Sequence, residues 1–183
     1  GHAMNAETLV ATLLAEENQV AQHKLLQQQP MLDDCLAARL KSEADRLLRI
    51  DTAQSLAVGN ILREMAAVSR NPFHKALALL AQANAYNIGL ARYEDSLALY
   101  EEAATLYHVH HRPVEAANTQ IGRLYALANL GRYDEAECAG EQAATVLRAH
   151  AAWLPLAKLL VNLAITYGRR GNDVKAIELF DEA

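Results

Sequence analysis

Aromatic side chains are scarce: two Phe, one Trp and seven Tyr make up 5% of 183 residues. Four prolines and eight glycines are too few for an all-β protein built on many tight turns. The two cysteines, Cys35 and Cys138, lie far apart in helical pattern. They form no disulfide framework and read as reduced core thiols of a cytoplasmic protein. No apolar run approaches the roughly 20 residues that span a bilayer. The N-terminus has no basic segment followed by an apolar run, so no secretory signal is visible. Positive charge is also short, with 17 Lys and Arg against 22 Asp and Glu, a net charge of −5 and no basic run longer than Arg169-Arg170. A nucleic-acid binder draws its affinity largely from phosphate neutralisation. Neither nucleic acid nor a membrane is therefore expected as a partner.

What remains is a chain that is 52% hydrophobic and dominated by alanine and leucine. Both residues lose little on entering a helix. The expected class is all-α. Three segments align at one constant interval: Ala91-Arg-Tyr-Glu-Asp-Ser96, Gly131-Arg-Tyr-Asp-Glu-Ala136 and Gly171-Asn-Asp-Val-Lys-Ala176. A helical stretch follows each, with a small residue seven positions on at Ala103, Ala143 and Ala183. Another helical stretch precedes each and is opened by Pro72, Pro113 or Pro155. Each unit thus reads as helix, tight turn and second helix. Glycine supplies the left-handed residue at the turn. Ser96, Ala136 and Ala176 are small enough to let the two helices approach, while Tyr93 and Tyr133 plug the gap between pairs. Asn84-Ala-Tyr-Asn-Ile-Gly-Leu-Ala91 holds one residue more than the other units, so a distorted turn is expected there.

Upstream, Leu32–Arg49 and Thr52–Ser69 form a more degenerate pair, with Asp51 or Thr52 as the intervening cap. Gly59 holds the place that Gly140 takes in the second full repeat. Ala6–Ala15 and Asn18–Gln28 read as two short helices ended by Pro30 and covering the first pair. The expected organisation is a cloning remnant at 1–3, a helical cap with a degenerate pair at 4–70, and three long repeats at 71–183. Those repeats span about 72–111, 113–150 and 154–183. The last stops inside a helical pattern at Glu178-Leu-Phe-Asp-Glu-Ala183, which reads as a cut-off array. Self-association through that final helix is therefore expected.

These units resemble tetratricopeptide (TPR) repeats, and Asn162-Leu-Ala-Ile-Thr-Tyr167 matches the first helix of that pattern best. The usual period is about 34 residues. The longer period here implies about three extra residues per helix, as in longer-helix members of that superfamily. Leu32-Asp-Asp, Lys41-Ser-Glu-Ala-Asp-Arg-Leu-Leu48, Thr119-Gln-Ile-Gly-Arg123 and Leu130-Gly-Arg-Tyr-Asp-Glu-Ala136 are similar to the N-terminal half of bacterial TPR proteins that carry a C-terminal caspase-like CHAT domain. That resemblance implies an α-α superhelix whose concave groove binds a peptide or partner helix and regulates an effector domain. A sensor of a signal peptide or small molecule is the alternative.

Asn84, Asn87, Asn118 and Asn162 fall in first helices, where an amide can pair with both polar groups of an extended peptide. Tyr125, Ile121, Ile165 and Arg169 are expected on the same face. Asn84 and Lys158 sit at positions resembling a carboxylate clamp, but Leu80, Gly122 and Asn162 replace the other residues such a clamp needs. Recognition of a chaperone C-terminus is not expected. His108-Val-His-His111 is the most metal-like cluster, yet it lies at a helix end before Pro113, where histidine also complements the helix dipole. Glu16-Glu17, Asp33-Asp34 and Glu101-Glu102 are neighbours on helices and point apart, so they do not form a catalytic pair. Trp153 reads as a partly buried packing residue. The expectation is a non-enzymatic interaction module without cofactor or metal, with metal-dependent activity at the His108–His111 cluster as a remote alternative.

Overall fold

The computed structural model describes residues 4–183, and the proposed remnant at 1–3 lies outside them. The described residues are all-helical and contain no strand. The chain divides into two compact units between Leu90 and Ala91, each with its own apolar cluster.

In the first unit, α1 (Ala6–Ala15) and α2 (Gln19–Gln27) precede the longer α3 (Asp34–Leu47), α4 (Thr52–Ser69) and α5 (Pro72–Asn84). Four of these helices start on a side-chain oxygen that accepts from first-turn amides: Asn5, Asn18, Asp33 and Asp51. Asn71 does the same for α5, with Pro72 in the first turn. Such caps satisfy amides that have no partner inside the helix. Apolar residues at three- and four-residue spacing then turn inward. Leu36, Leu40 and Leu47 of α3 meet Val58, Ile61, Leu62 and Met65 of α4. Both α1 and α2 pack on α4, burying Leu9, Leu13 and Leu26.

The second unit comprises α6 (Tyr93–Val109), α7 (Pro113–Asn118), α8 (Gln120–Asn129), α9 (Tyr133–Ala149), α10 (Trp153–Arg169) and α11 (Asp173–Glu182). Segments α7 and α8 form one rod loosened at Thr119, whose hydroxyl donates to the Ala116 carbonyl at 2.6 Å. A hydroxyl bonding back into its own helix competes with the ladder and bends it. Each helix packs on the next, and the α8 half of the rod also touches α10. Short turns make successive helices antiparallel, so α8 and α10 run parallel.

The turns share one geometry. Left-handed backbone occurs at Ala91, His111, Gly131, Ala151 and Gly171, evenly spaced along the chain. At the last four, two bonds recur. The amide after the left-handed residue donates five positions back, at 2.8 Å from Arg112 to Tyr107, 2.9 Å from Arg132 to Leu127, 2.9 Å from Ala152 to Leu147 and 2.9 Å from Asn172 to Tyr167. The left-handed residue itself donates three positions back, at 3.0 to 3.1 Å. This is the Schellman helix stop. Glycine was expected at one turn per repeat, but the turn between repeats has the same backbone with His111 or Ala151 in the glycine position.

Arg70, also left-handed, precedes Ala91 by one position more than that common spacing. The extra residue is absorbed by a π-helical turn at Ala85–Gly89, closed by Leu90 N–H donating to Ala85 O at 3.0 Å. The distortion expected at the turn therefore sits inside the helix, and Ala91 keeps the left-handed conformation shared by the later turns. A helix can accommodate one inserted residue in this way without losing the register of its ends.

The small residues behave as expected: Ser96 and Ala136 are fully buried, and Ala176 is 6% exposed. Three other expectations are corrected. Cys35 and Cys138 are exposed, on outward faces of α3 and α9. Trp153 is 64% exposed, because it begins α10 at the surface while Leu156 and Leu159 turn inward. Pro155 is the third residue of α10 and not its opener, a position where the missing amide still has no helical partner.

The turn geometry makes a direct stability prediction. Alanine in a left-handed position costs roughly 1–2 kcal/mol of backbone strain that glycine avoids. Ala151→Gly is expected to raise stability by roughly 0.5–1 kcal/mol, and Gly131→Ala, where a Cβ would meet nothing within 4 Å, to lower it by a similar amount. Urea melts of the two variants check both signs.

Candidate functional site

Rods α7–α8 and α10 lie side by side in the second unit, and the repeat puts equivalent residues on matching faces. Tyr125 pairs with Ile165, Ile121 with Val161, Asn118 with Lys158, and Asn129 with Arg169. Spacing of three and four keeps each set on one helix face. Tyr125, Val161 and Ile165 are 36%, 37% and 37% exposed. Asn118, Lys158 and Arg169 are exposed, and Ile121 is half-buried. The face is an apolar stripe with amide and cationic groups at its margins.

Asn162, a groove candidate from its sequence position, also ties the two rods together. Its Nδ2 donates to the Ile121 carbonyl at 2.7 Å, joining the two rods. Helical carbonyls keep a second lone pair for such a bond. Tyr125 is fixed from the other side, with the Tyr93 ring edge-on at 6.2 Å between centroids. The stripe is thus held by a backbone bridge and an aromatic contact. Asn84 and Asn87 belong to the first unit. Asn84 ends α5, and Asn87 is 1% exposed inside the π-helical turn.

His108, His110 and His111 are exposed at the end of α6. His111 occupies the left-handed helix stop. Among the described residues, no group of three or more His, Cys, Asp or Glu side chains is arranged to hold a metal.

Two polar arrangements in the first unit escaped sequence reading. A cleft of about 540 Å³ opens among α1, α2, α4 and α5, lined by Glu16, Gln22, Asn60, Arg63, Glu64 and Gln82 together with Leu14 and Ile61. Its groups are bonded in series. Arg63 donates to Gln82 Oε1 at 2.9 Å, Gln82 donates to Asn60 Oδ1 at 2.8 Å, and His23 meets Glu64 at 3.1 Å. Only the three-dimensional path of α2 back over α4 brings His23 to Glu64.

The other arrangement links Ser69, His74 and Asp34. Ser69 Oγ lies 2.9 Å from His74 Nδ1, and His74 Nε2 donates to Asp34 Oδ1 at 2.7 Å. His74 is 2% exposed, so both ring nitrogens need partners. The three residues sit at the end of α4 and the starts of α5 and α3, and tie those helix ends together. Nucleophilic chemistry would also need free amides aimed at an oxyanion. The nearby Phe73 and His74 amides are taken by the Asn71 cap, at 2.9 and 3.4 Å.

Two phenols of the second unit have shifted acidities. Burial, then the Glu115 carboxylate, pushes Tyr107 up to about 12. Burial, then Glu141 beside its hydroxyl at 3.1 Å, does the same for Tyr167, also to about 12. A folded phenol that ionises later than the unfolded one leaves stability intact below its unfolded pKa of 10.0 and removes it as pH rises towards 12. Alkaline loss of stability over that window is expected, and Tyr107→Phe should flatten it. Thermal melts followed from about pH 9 to about pH 11 measure the slope.

Searches against protein-family models, curated proteins and solved structures returned no match to this chain.

Proposed function

We propose that this chain is a TPR-type helical-repeat scaffold that binds a peptide or partner helix across the α8–α10 face. The observation that carries the reading is the exposed stripe of Tyr125, Val161 and Ile165, repeated in register on two parallel rods. Apolar residues clustered in the open, and held by fixed neighbours, are the usual mark of a recognition surface. An extended peptide would lay side chains against Tyr125 and Ile165. Asn118, Lys158 and Arg169 would take its polar and anionic groups. Asn162 contributes by keeping the rods at fixed separation. The resemblance to regulatory arrays attached to caspase-like CHAT domains suggests that such binding controls an effector. On this reading the chain is not an enzyme, needs no cofactor or metal, and works in the cytoplasm. Among the described residues no helix is long and apolar enough to cross a membrane.

A second reading has its own support. The polar cleft of the first unit, with Arg63, Glu64, Asn60 and Gln82 around Leu14 and Ile61, has the size and mixed lining of a small-molecule site. A sensor would use it to couple a ligand to the packing of α1 and α2 on α4.

Peptide display on the purified chain separates the two. Peptides selected by the wild type are expected to lose about tenfold or more in affinity for Ile165→Glu and Tyr125→Ala, with helicity unchanged. Peptides that bind these variants as well as wild type would move recognition off this face. Loss only in Arg63→Ala would favour the cleft.

A further inference from the structure

One place in the repeat of the second unit is packed with leucine in one repeat and hollow in the repeat before it. In α10 and α11 it holds Leu156, Leu160, Leu163 and Leu179, which are 5%, 1%, 0% and 4% exposed. One repeat earlier the same positions are Ala116, Gln120, Arg123 and Ala139. Two alanines and two polar side chains stand where the later repeat has leucines. A cavity of about 290 Å³ remains there, among the end of α6, α7, α8 and α9. The later repeat keeps the same helix pairing with its leucines in place, so the fold does not require the hollow.

The walls of the cavity are apolar. Ala116, Ala117 and Ala143 are buried, and Ala139 and Val146 are half-buried beside them. His108, Gln120 and Gln142 add polar groups, but no carboxylate lines the cavity, and its one permanent charge is Arg123. That charge is incompletely used. Its Nη1 donates to Gln120 Oε1 at 3.3 Å and its Nη2 to Glu101 Oε1 at 3.5 Å. Both bonds are long beside the roughly 2.7–2.9 Å of a guanidinium on a carboxylate. Its Nε is buried and has no hydrogen-bond partner among the described residues. A buried N–H without an acceptor is rare in a native fold and calls for a group that supplies one. Nε and Nη2 form one edge of the guanidinium, and that edge takes both oxygens of a carboxylate.

We propose that this cavity binds a small aliphatic monocarboxylate, its chain against Ala116, Ala143 and Val146 and its two oxygens on Nε and Nη2 of Arg123. The volume lies at the lower limit of small-molecule sites, which run from about 300 to about 1,000 Å³, so the ligand is a short acid. The alanine walls exclude water from the pair and strengthen it. Glu101, 59% exposed, is the group that the ligand displaces from Nη2. The site is separate from the α8–α10 stripe. Gln120 and Arg123 lie on one side of α8, and Ile121 and Tyr125 on the other.

Octanoate is the probe, and octanamide, of equal length without the charge, is its control. Calorimetric titration of the full chain is expected to give one octanoate site with a Kd of about 0.1–1 mM, and octanamide about tenfold weaker. Arg123→Gln is expected to bring the two ligands to the same affinity, which a merely structural role for Arg123 would not do. Ala139→Leu restores the residue type that the next repeat carries at Leu179. It is expected to abolish binding of both ligands with circular dichroism unchanged. Glu101→Gln removes the competing carboxylate without touching the cavity wall, and is expected to tighten octanoate a few-fold. The proposal is overturned by a wild-type chain that binds no octanoate, by binding that survives Ala139→Leu, or by octanoate keeping its advantage in Arg123→Gln. Several equal sites indifferent to all three changes would show surfactant adsorption and overturn it as well. If Arg123→Gln loses helicity, the opposite responses to Ala139→Leu and Glu101→Gln decide it.

Discussion

Everything in the second unit depends on a helix stop that recurs at a constant interval along the chain. A Schellman turn does two things at once. It satisfies carbonyls that the ending helix leaves open, and it fixes the direction in which the chain leaves. With the same stop at His111, Gly131, Ala151 and Gly171, each helix leaves its predecessor at a similar angle, and antiparallel packing follows without a long loop. Two backbone bonds, each contributing about 0.5–1.5 kcal/mol net, offset the strain of a left-handed alanine or histidine. The stop is therefore set by the hydrogen-bond pattern and, at three of the four, by burial of the residue whose carbonyl accepts the longer bond, Tyr167 being only partly buried. Leu127 and Leu147 are fully buried and Tyr107 is 6% exposed. Glycine eases the geometry where it occurs but does not create it.

The second constraint is the exchange of size where helices cross. Tyr100 against Gly122, and Gly140 against Leu163, use opposite sides of the crossing to fill the same kind of gap. A packed interior tolerates either choice as long as the volumes add up. This explains why the repeat is hard to see by identity. Tyr, Gly and Phe at positions 100, 140 and 180 share no chemistry, yet they occupy one place in the repeat. The constant element is the acid that follows each of them, as Glu101, Glu141 and Asp181.

Sequence reading recovered the elements that carry strong local signals. The bounds of Ala6–Ala15 and Thr52–Ser69 match α1 and α4, because Asn5 and Asp51 are unambiguous caps and the apolar spacing is regular. The three turns at 91, 131 and 171 were legible through glycine and the Arg-Tyr that marks two of them. The turns at His111 and Ala151 were not, since nothing local marks a left-handed histidine or alanine. The extra residue was located within Asn84–Ala91, where the π-helical turn lies, but its form inside the helix was not legible. A π-helical turn costs little in composition and leaves no motif. Among candidate residues, Asn118, Tyr125, Ile165 and Arg169 were expected on one face from helical spacing and the TPR resemblance, and they are exposed. The bond from Asn162 to the Ile121 carbonyl was not legible in detail, because its partner lies on the preceding repeat and carries no sequence signal. The Ser69–His74–Asp34 link and the Arg63–Gln82–Asn60 series escaped for the same reason: they are contacts between elements, written in topology.

The repeat accounts for the exposed apolar surface of the second unit. There α8 is touched by α6, α9 and α10, and α10 by α8, α9 and α11. These contacts leave one narrow face of each of the two helices without a neighbour. On α8 and α10 this face carries Tyr125, Val161 and Ile165, where a purely structural array would be satisfied by Glu, Lys or Gln. The inner sides of these three residues pack on neighbouring helices, Tyr125 edge-on against Tyr93, and the Asn162 bridge holds the two rods in fixed positions, so their outer sides are presented in order at the surface. Exposed, ordered and repeated in register, the stripe is the observation on which the proposed peptide-binding role rests.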